Sequence, residues 1–160
     1  MVRVTGADRF DLPEPDAFTR AYWDATAKGR LLVRRCGACG LAHHPPREFC
    51  PYCWSEDVTW EPASGRAALY TWSVVHRNDL PPFSARTPYV AAVVELPEGP
   101  RMMTEVVGAG DGGGGLWAGM DLEVAFRAVG ERREHGERGE YMVPVFRPVS
   151  GGGRARGVVQ

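Results

Sequence analysis

Four cysteines, placed as two Cys-x-x-Cys pairs, are the residues whose types and spacing best suit metal chemistry. Ten residues separate the first pair from the second. Two such pairs close a short loop and bring four thiolates to the corners of a tetrahedron, which is the ligand set of a structural zinc ion. Glycines at the first pair suit a tight turn whose backbone N–H groups point at the sulfurs. The sequence therefore predicts zinc ligands at Cys36, Cys39, Cys50 and Cys53.

The same ligand set argues against catalysis at the metal. Four thiolates complete the zinc shell and leave no open position for a reactive water, and no further cysteine remains as a nucleophile. The acids and bases near predicted strand ends are scattered, and no spacing ties them together: His76, Asp79, Glu95 and Glu105. We therefore assign no catalytic residue and favour a non-catalytic role, which leaves open whether the chain is an enzyme.

Size and composition allow a small metal-stabilised module together with a compact β domain. The chain has 160 residues, of which 44% are hydrophobic, and its formal net charge is −1. That charge provides no basic field for nucleic acid or an anionic membrane. No apolar run approaches a membrane span, and the first residues have no apolar signal region. We therefore expect a cytoplasmic protein without a membrane partner, where paired cysteines indicate metal rather than disulfides.

The segments around the cysteines predict one helix and two short strands. Residues 1–13 lack periodicity and are expected to form a loose arm. A helix begins near Pro15 and Asp16, carries Phe18 and Tyr22 on one stripe, and ends at Gly29. Strands are expected at residues 31–35 and 58–60. Between the cysteine pairs, prolines predict a stiff loop that leaves His43 and His44 in solvent.

The remainder of the chain predicts a five-stranded barrel. Its first strand alternates so that Tyr70, Trp72 and Val74 share one face. The loop 108–119 contains seven glycines and is expected to be mobile, and residues 131–140 are expected to form a charged turn. The oligonucleotide/oligosaccharide-binding (OB) fold fits best, because a sandwich needs about seven strands. The predicted strands are residues 66–76, 89–96, 101–107, 121–128 and 141–146.

These segments predict a mainly β protein with an N-terminal helix, a zinc ribbon and an OB-fold barrel. The predicted boundaries are 1–30 for the arm and helix, 31–60 for the zinc ribbon, 61–149 for the OB fold and 150–160 for a flexible tail.

Taken in order, the motifs resemble those of the DUF35 family over about residues 14–149. They are Arg30-Leu31-Leu32-Val33-Arg34-Arg35-Cys36, Pro45-Pro46-Arg47, Cys50-Pro51-Tyr52-Cys53, Trp60, Ser64-Gly65-Arg66, Leu69-Tyr70-Thr71-Trp72, Pro88-Tyr89-Val90, Glu95-Leu96, Glu98-Gly99-Pro100-Arg101, Gly119-Met120 and Phe146-Arg147-Pro148. The chain departs from the family in the glycine-rich insert before Leu116-Trp117, where relatives have a shorter acidic connection.

The resemblance implies an accessory subunit with a structural zinc ion. Family members sit beside a thiolase, a ketoacyl-synthase-like acyltransferase or a side-chain-cleaving aldolase, and help to bind or position an acyl-CoA thioester. A CoA site needs a few cations at its mouth and an apolar channel beyond. The candidates are Tyr22, Trp23, Arg47, Phe83 and Tyr89, although the same aromatic residues suit a subunit interface equally well.

A single-stranded nucleic-acid-binding protein is the alternative function. Zinc ribbons and OB folds both occur in such proteins, and Tyr70 with Trp72 could stack on bases. The balanced charge disfavours this reading, because phosphate contacts supply most non-specific affinity.

Overall fold

A computed structural model describes residues 15–81, 83–110, 113–134 and 137–149. The described part begins with a turn in which the Asp16 carboxylate accepts hydrogen bonds from the Thr19 amide at 2.6 Å and its hydroxyl at 2.7 Å. Helix α1 (Arg20–Ala27) follows, and Gly29 after it has a φ of +69°, a value that glycine adopts without strain. The predicted N-terminal helix is thus confirmed, and it is short. No helix among the described residues is long and apolar enough to cross a membrane.

Three short strands form the sheet that carries the two Cys-x-x-Cys turns, residues 36–40 and 50–54, which we call the cysteine knuckles. They are β1 (Leu32–Cys36), β2 (Ala42–His43) and β3 (Val58–Pro62), in the antiparallel order β2-β1-β3. The prediction of a solvated loop after the first cysteine pair is wrong at β2, because His43 lies opposite Arg34 in the sheet and is only 2% exposed. The loop beyond β2 begins with a cis peptide bond between His44 and Pro45.

The remaining strands close into the predicted five-stranded barrel. Their order is β4-β5-β6-β8-β7, and β4 pairs with β7 to complete the circle. All neighbours are antiparallel except β6 and β8, which meet in parallel at Val106 and Phe146. The strands are β4 (Arg66–Val75), β5 (Tyr89–Glu95), β6 (Arg101–Val106), β7 (Asp121–Glu134) and β8 (Glu137–Pro148).

A register shift interrupts the predicted alternation of β4. Between Leu69 and Thr71 the pairing with β5 is irregular, so Tyr70 is unpaired and 47% exposed, whereas Trp72 packs against the core. A bulge moves every later side chain to the opposite face. The prediction that Tyr70 and Trp72 share a face is therefore wrong, and the two rings do not form one stacking platform.

The hairpin of β7 and β8 is longer than predicted. Its ladder continues to the pair Glu134 and Glu137, whereas residues 131–140 were expected to form a turn. Antiparallel strands joined by a hairpin can extend their ladder of backbone hydrogen bonds in this way. In the glycine-rich loop, Leu116 packs against the core and the Gly119 amide donates to the Leu69 carbonyl at 2.7 Å. The predicted flexible tail, residues 150–160, and the loose arm lie outside the described residues.

One hydrophobic core joins the helix, the ribbon sheet and the barrel. Phe146 and Leu122 are fully buried in the barrel, and Tyr22 from α1 with Val33 from β1 belongs to the same cluster. Burial of each such side chain contributes about 2 kcal/mol. Trp23 also contacts Tyr141 of β8 edge-on, with ring centroids 6.2 Å apart. These contacts fix the cysteine knuckles relative to the barrel.

Candidate metal centre and ligand surfaces

The two Cys-x-x-Cys pairs bring their sulfur atoms together. Cys36 ends β1 and Cys39 follows in a turn, while Cys50 and Cys53 occupy a second turn before β3. The four Sγ atoms all lie within 4.8 Å of one another. The Sγ atoms of Cys36 and Cys53 are 3.6 Å apart, as are those of Cys39 and Cys50. The structure therefore groups the four ligands predicted from the sequence.

A backbone amide stabilises negative charge on the Cys36 sulfur. The Cys39 amide lies 3.5 Å from the Cys36 Sγ. This hydrogen bond is the main cause that lowers the pKa of the Cys36 thiol to about 7, and a lowered pKa favours the thiolate that a metal requires. Cys36 and Cys50 are buried, whereas Cys39 and Cys53 are exposed.

The arrangement fits a tetrahedral zinc ion. Zinc–sulfur bonds of about 2.3 Å place tetrahedral sulfurs about 3.8 Å apart, close to the two 3.6 Å pairs. When bound, a zinc ion at four thiolates supplies folding free energy rather than an open coordination position. Among the described residues, the group able to hold a metal contains the four cysteines and neither His43 nor His44.

Two of the predicted ligand residues lie at the junction of α1 with the ribbon. Tyr22 is 5% exposed, and burial strongly raises the pKa of its hydroxyl. Its ring lies 5.2 Å from that of Trp23, edge-on, and 6.2 Å from that of Trp60. Tyr22 is therefore packed in the core, whereas Trp23 is partly exposed. Only Trp23 of this pair offers appreciable surface to another molecule.

A buried arginine strengthens this junction. Arg34 of β1 is 8% exposed, and its guanidinium lies 5.1 Å from the ring of Phe18 and 4.8 Å from that of Trp60. Desolvation by burial lowers the pKa of Arg34. Cation–π contacts on both rings compensate part of that cost. Sequence alternation along residues 31–35 gives no sign of a buried cation, so this contact was not predicted.

The other predicted ligand residues lie elsewhere. Arg47 is exposed on the loop between the cysteine pairs. Phe83 begins a 3₁₀ helix, Phe83–Arg86, and Tyr89 begins β5. Both rings face Arg86, whose guanidinium lies 5.2 Å from Phe83 and 5.7 Å from Tyr89. The structure thus groups Tyr22 with Trp23, and Phe83 with Tyr89, through separate sets of contacts.

A cavity of about 350 Å³ lies beside Tyr89 at one end of the barrel. Val74, Val90 and Val106 give it apolar walls, and Arg86 with Glu105 gives it charge. Glu105 accepts hydrogen bonds from Arg86 at 3.0 Å and from Arg127 at 2.6 and 2.9 Å. Two arginines around one carboxylate leave the cluster with a net positive charge. Sequence reasoning missed Arg86, although its spacing of three from Phe83 would place both on one helical turn.

Comparisons with known proteins match two domain models and a solved chain. The family model described as the ChsH2 rubredoxin-like zinc ribbon domain matches residues 23–59, and the model of the ChsH2 C-terminal OB-fold domain matches residues 60–127. A solved chain from the Ltp2-ChsH2(DUF35) aldolase is 31% identical, with a TM-score of 0.67 over 86% of this chain and 98% of that chain.

Two curated relatives are subunits of enzymes acting on CoA thioesters. A probable enoyl-CoA hydratase alpha subunit of Thermomonospora curvata is 36% identical over 80% of this chain, which spans 37% of that subunit's length. The benzoylsuccinyl-CoA thiolase subunit BbsA of Thauera aromatica is 35% identical over 61% of this chain and 67% of the subunit.

The fold and the cysteine site define a class of protein in which a zinc ribbon is joined to an OB-fold barrel. The two matched ChsH2 domain models and the similarity to a chain of the Ltp2-ChsH2(DUF35) aldolase identify its family. The chain belongs to the DUF35 family, as the sequence motifs predicted.

Proposed function

We propose that this chain is a non-catalytic accessory subunit of a thiolase-like, aldolase or related acyl-CoA-processing enzyme. One observation carries the proposal: the chain is similar to 98% of the length of a chain of the Ltp2-ChsH2(DUF35) aldolase. The relative BbsA, a thiolase subunit, supports the same class of partner. The cysteine site has a structural role in this proposal, because a complete thiolate shell offers no position for substrate.

The second part of the proposal is that the subunit helps to position the acyl-CoA thioester. The cavity beside Tyr89 supports this part, since apolar valines line it and Arg86 supplies a cation. An apolar pantetheine arm and an anionic phosphate need that combination. Phe83 and Tyr89 then act by holding the Arg86 side chain over their rings. Arg47 and Trp23 are further contact candidates on the ribbon side.

Co-expression tests the partner. The chain and a thiolase-like or aldolase protein from the same organism should co-purify, and the enzyme should lose activity when expressed alone. A partner that never co-purifies and is fully active alone would overturn the proposal.

Calorimetric titration with CoA tests the ligand, using the complex and an Arg86→Met variant. Arg77→Met is the control, because Arg77 is an exposed arginine paired with Asp79. The Arg86 variant should bind CoA about tenfold more weakly, as expected when one charge-assisted contact is lost. Equal affinities for wild type, variant and control would exclude Arg86 from the site and leave the partner proposal standing.

A further inference from the structure

The two cysteine knuckles, residues 36–40 and 50–54, share a backbone hydrogen bond and a positive φ at the residue after the second cysteine, and that residue differs between them. In the first, the Gly40 amide donates to the Cys36 carbonyl at 2.9 Å, and Gly40 has a φ of +74°. In the second, the Trp54 amide donates to the Cys50 carbonyl at 2.9 Å, and Trp54 has a φ of +63°. Trp54 therefore occupies the position that glycine fills in the sister knuckle. Among the described non-glycine residues it is the one with positive φ.

This conformation is unfavourable for a bulky side chain. A Cβ atom strains the left-handed region, which is why glycine dominates there. Strain of this kind concentrates at binding and catalytic sites. A tryptophan placed there needs a compensating role, and burial in the core does not supply one, since Trp54 is 74% exposed.

Neighbouring side chains extend Trp54 into an exposed aromatic surface. Its ring stacks on Phe49 with centroids 5.2 Å apart and planes 14° apart. Tyr52, two residues earlier in the same knuckle, is 56% exposed. We call the surface formed by the stacked rings of Phe49 and Trp54 the knuckle aromatic patch. Tryptophan and tyrosine are the residues most enriched at the energetic centres of protein interfaces.

The charges around the patch select its partner. Residues 37–58 contain one arginine, Arg47, and three acids, Glu48, Glu56 and Asp57, all of them exposed. A zinc ion bound by four thiolates adds two further negative charges. Negative potential repels phosphate backbones and anionic membranes, so it favours a protein surface with basic residues.

We propose that the knuckle aromatic patch docks into an apolar socket with a basic rim on the enzyme subunit, with Trp54 as the anchor. This inference rests on the proposed function, because it assigns a contact surface to the same complex. A second copy of this chain is the alternative occupant of the patch. A homodimer formed through the patch would overturn the assignment to the enzyme subunit.

Trp54→Gly is the sharpest test, because it restores the residue found at Gly40. Glycine removes the strain, so the variant should keep or raise the thermal midpoint and bind one equivalent of zinc. Its affinity for the enzyme subunit, measured by surface plasmon resonance, should fall at least about tenfold. Tyr70→Ala is the matched control, because Tyr70 is 47% exposed on the barrel, and it should bind as the wild type does.

Charge reversal and salt test the rim. The double change Glu48→Lys and Glu56→Lys should weaken binding, whereas Asp121→Lys, an exposed acid on the barrel, should have a smaller effect. Raising the salt from about 0.1 to 0.5 M should also weaken wild-type binding, because it screens complementary charges.

Four outcomes separate the possibilities. If the wild type binds the enzyme subunit and Trp54→Gly binds it with the same affinity, Trp54 is not the anchor, and the proposed function still stands. A lower thermal midpoint of this variant means that Trp54 serves the fold, which also overturns the anchor. A dimer of the wild-type chain that becomes a monomer in Trp54→Gly, seen by analytical ultracentrifugation, assigns the patch to self-association. Failure of the wild type to bind any enzyme subunit overturns both proposals.

Discussion

Arg127 on β7 donates two hydrogen bonds to Glu105 on β6, at 2.6 and 2.9 Å. The two strands are not neighbours, because β8 lies between them in the barrel. The β6–β8 junction has one paired position, Val106 with Phe146, so the ion pair adds a side-chain link where backbone pairing is sparse. The Thr104 hydroxyl contributes a second link by donating to the Pro144 carbonyl at 3.1 Å.

We predict that Glu105→Gln destabilises the fold by about 2 kcal/mol, because it leaves two partly buried arginines without their anion. This value lies below that of a fully buried pair, since Glu105 is 17% and Arg127 30% exposed. Urea unfolding followed by circular dichroism measures it.

Glu95→Gln is the matched control for this prediction. Glu95 pairs with Arg101 at 3.5 Å, and both side chains are about half exposed. Exposed pairs contribute less than about 1 kcal/mol. Equal losses in the two variants would show that the Glu105 pair does not close the barrel.

The grouping of the four cysteines was predictable from the sequence because its geometry is local. Cys-x-x-Cys spacing fixes each knuckle within four residues, and closing one short loop brings the knuckles together. The barrel was also predictable, since alternation and turn residues mark each strand. These features do not depend on knowing which strands become neighbours.

Other features depended on long-range packing and were not predictable in the same way. The bulge at Tyr70 follows from how β4 pairs simultaneously with β5 and β7. The two-residue strand β2 forms because β1 offers it an edge, and it buries His43. The cluster of Arg86, Glu105 and Arg127 forms where a loop, β6 and β7 meet. No local sequence motif therefore predicts it.

We expect one zinc ion per chain, bound by the four cysteines. Changing Cys39 or Cys53 to serine should unfold the ribbon, because metal binding supplies much of the folding free energy of so small a module. Metal analysis measures the loss of zinc. Tryptophan fluorescence, to which Trp60 on the ribbon sheet contributes, measures the unfolding.

Chelation provides an independent check on the metal. A strong chelator should unfold the ribbon of the wild-type chain, and added zinc should restore it while magnesium should not, since thiolates select zinc over hard cations. A ribbon that stays folded after chelation, with less than about half an equivalent of metal beforehand, would contradict a structural zinc ion.

His44 should make the stability of the fold sensitive to acid. Burial and, secondarily, the neighbouring His43 lower the pKa of His44 from 6.5 to about 4. The unfolded chain therefore takes up a proton near pH 6.5, whereas the folded chain takes it up only near pH 4. The stabilisation is present above pH 6.5 and is lost progressively as the pH falls toward 4, by at most about 3 kcal/mol.

His44→Gln isolates this contribution, because glutamine cannot titrate. The difference in unfolding free energy between variant and wild type, measured from pH 7 to 5, cancels the acid sensitivity of the cysteine site that both share. His76→Gln, a change at an exposed residue, controls for the loss of an imidazole. A difference that stays constant across this range would refute the assignment.

Gly65 joins the ribbon to the barrel in a conformation that excludes a side chain. Its φ is +77°, its carbonyl accepts a hydrogen bond from the Val124 amide at 2.7 Å, and a Cβ atom would lie 2.8 Å from Val124 Cγ1. We predict that Gly65→Ala costs about 2–3 kcal/mol, the sum of backbone strain and local overpacking.

Gly108→Ala separates these two contributions to the cost at Gly65. Gly108 has a similar φ of +71°, but a Cβ atom there meets nothing within 4 Å, so only strain of about 1 kcal/mol should appear. Thermal unfolding of both variants gives the comparison. If alanine lowers the stability equally at both positions, Val124 moves to accommodate the new methyl group and the contact does not constrain the junction. A larger loss of stability at Gly65 means that close packing on β7 fixes where the barrel begins.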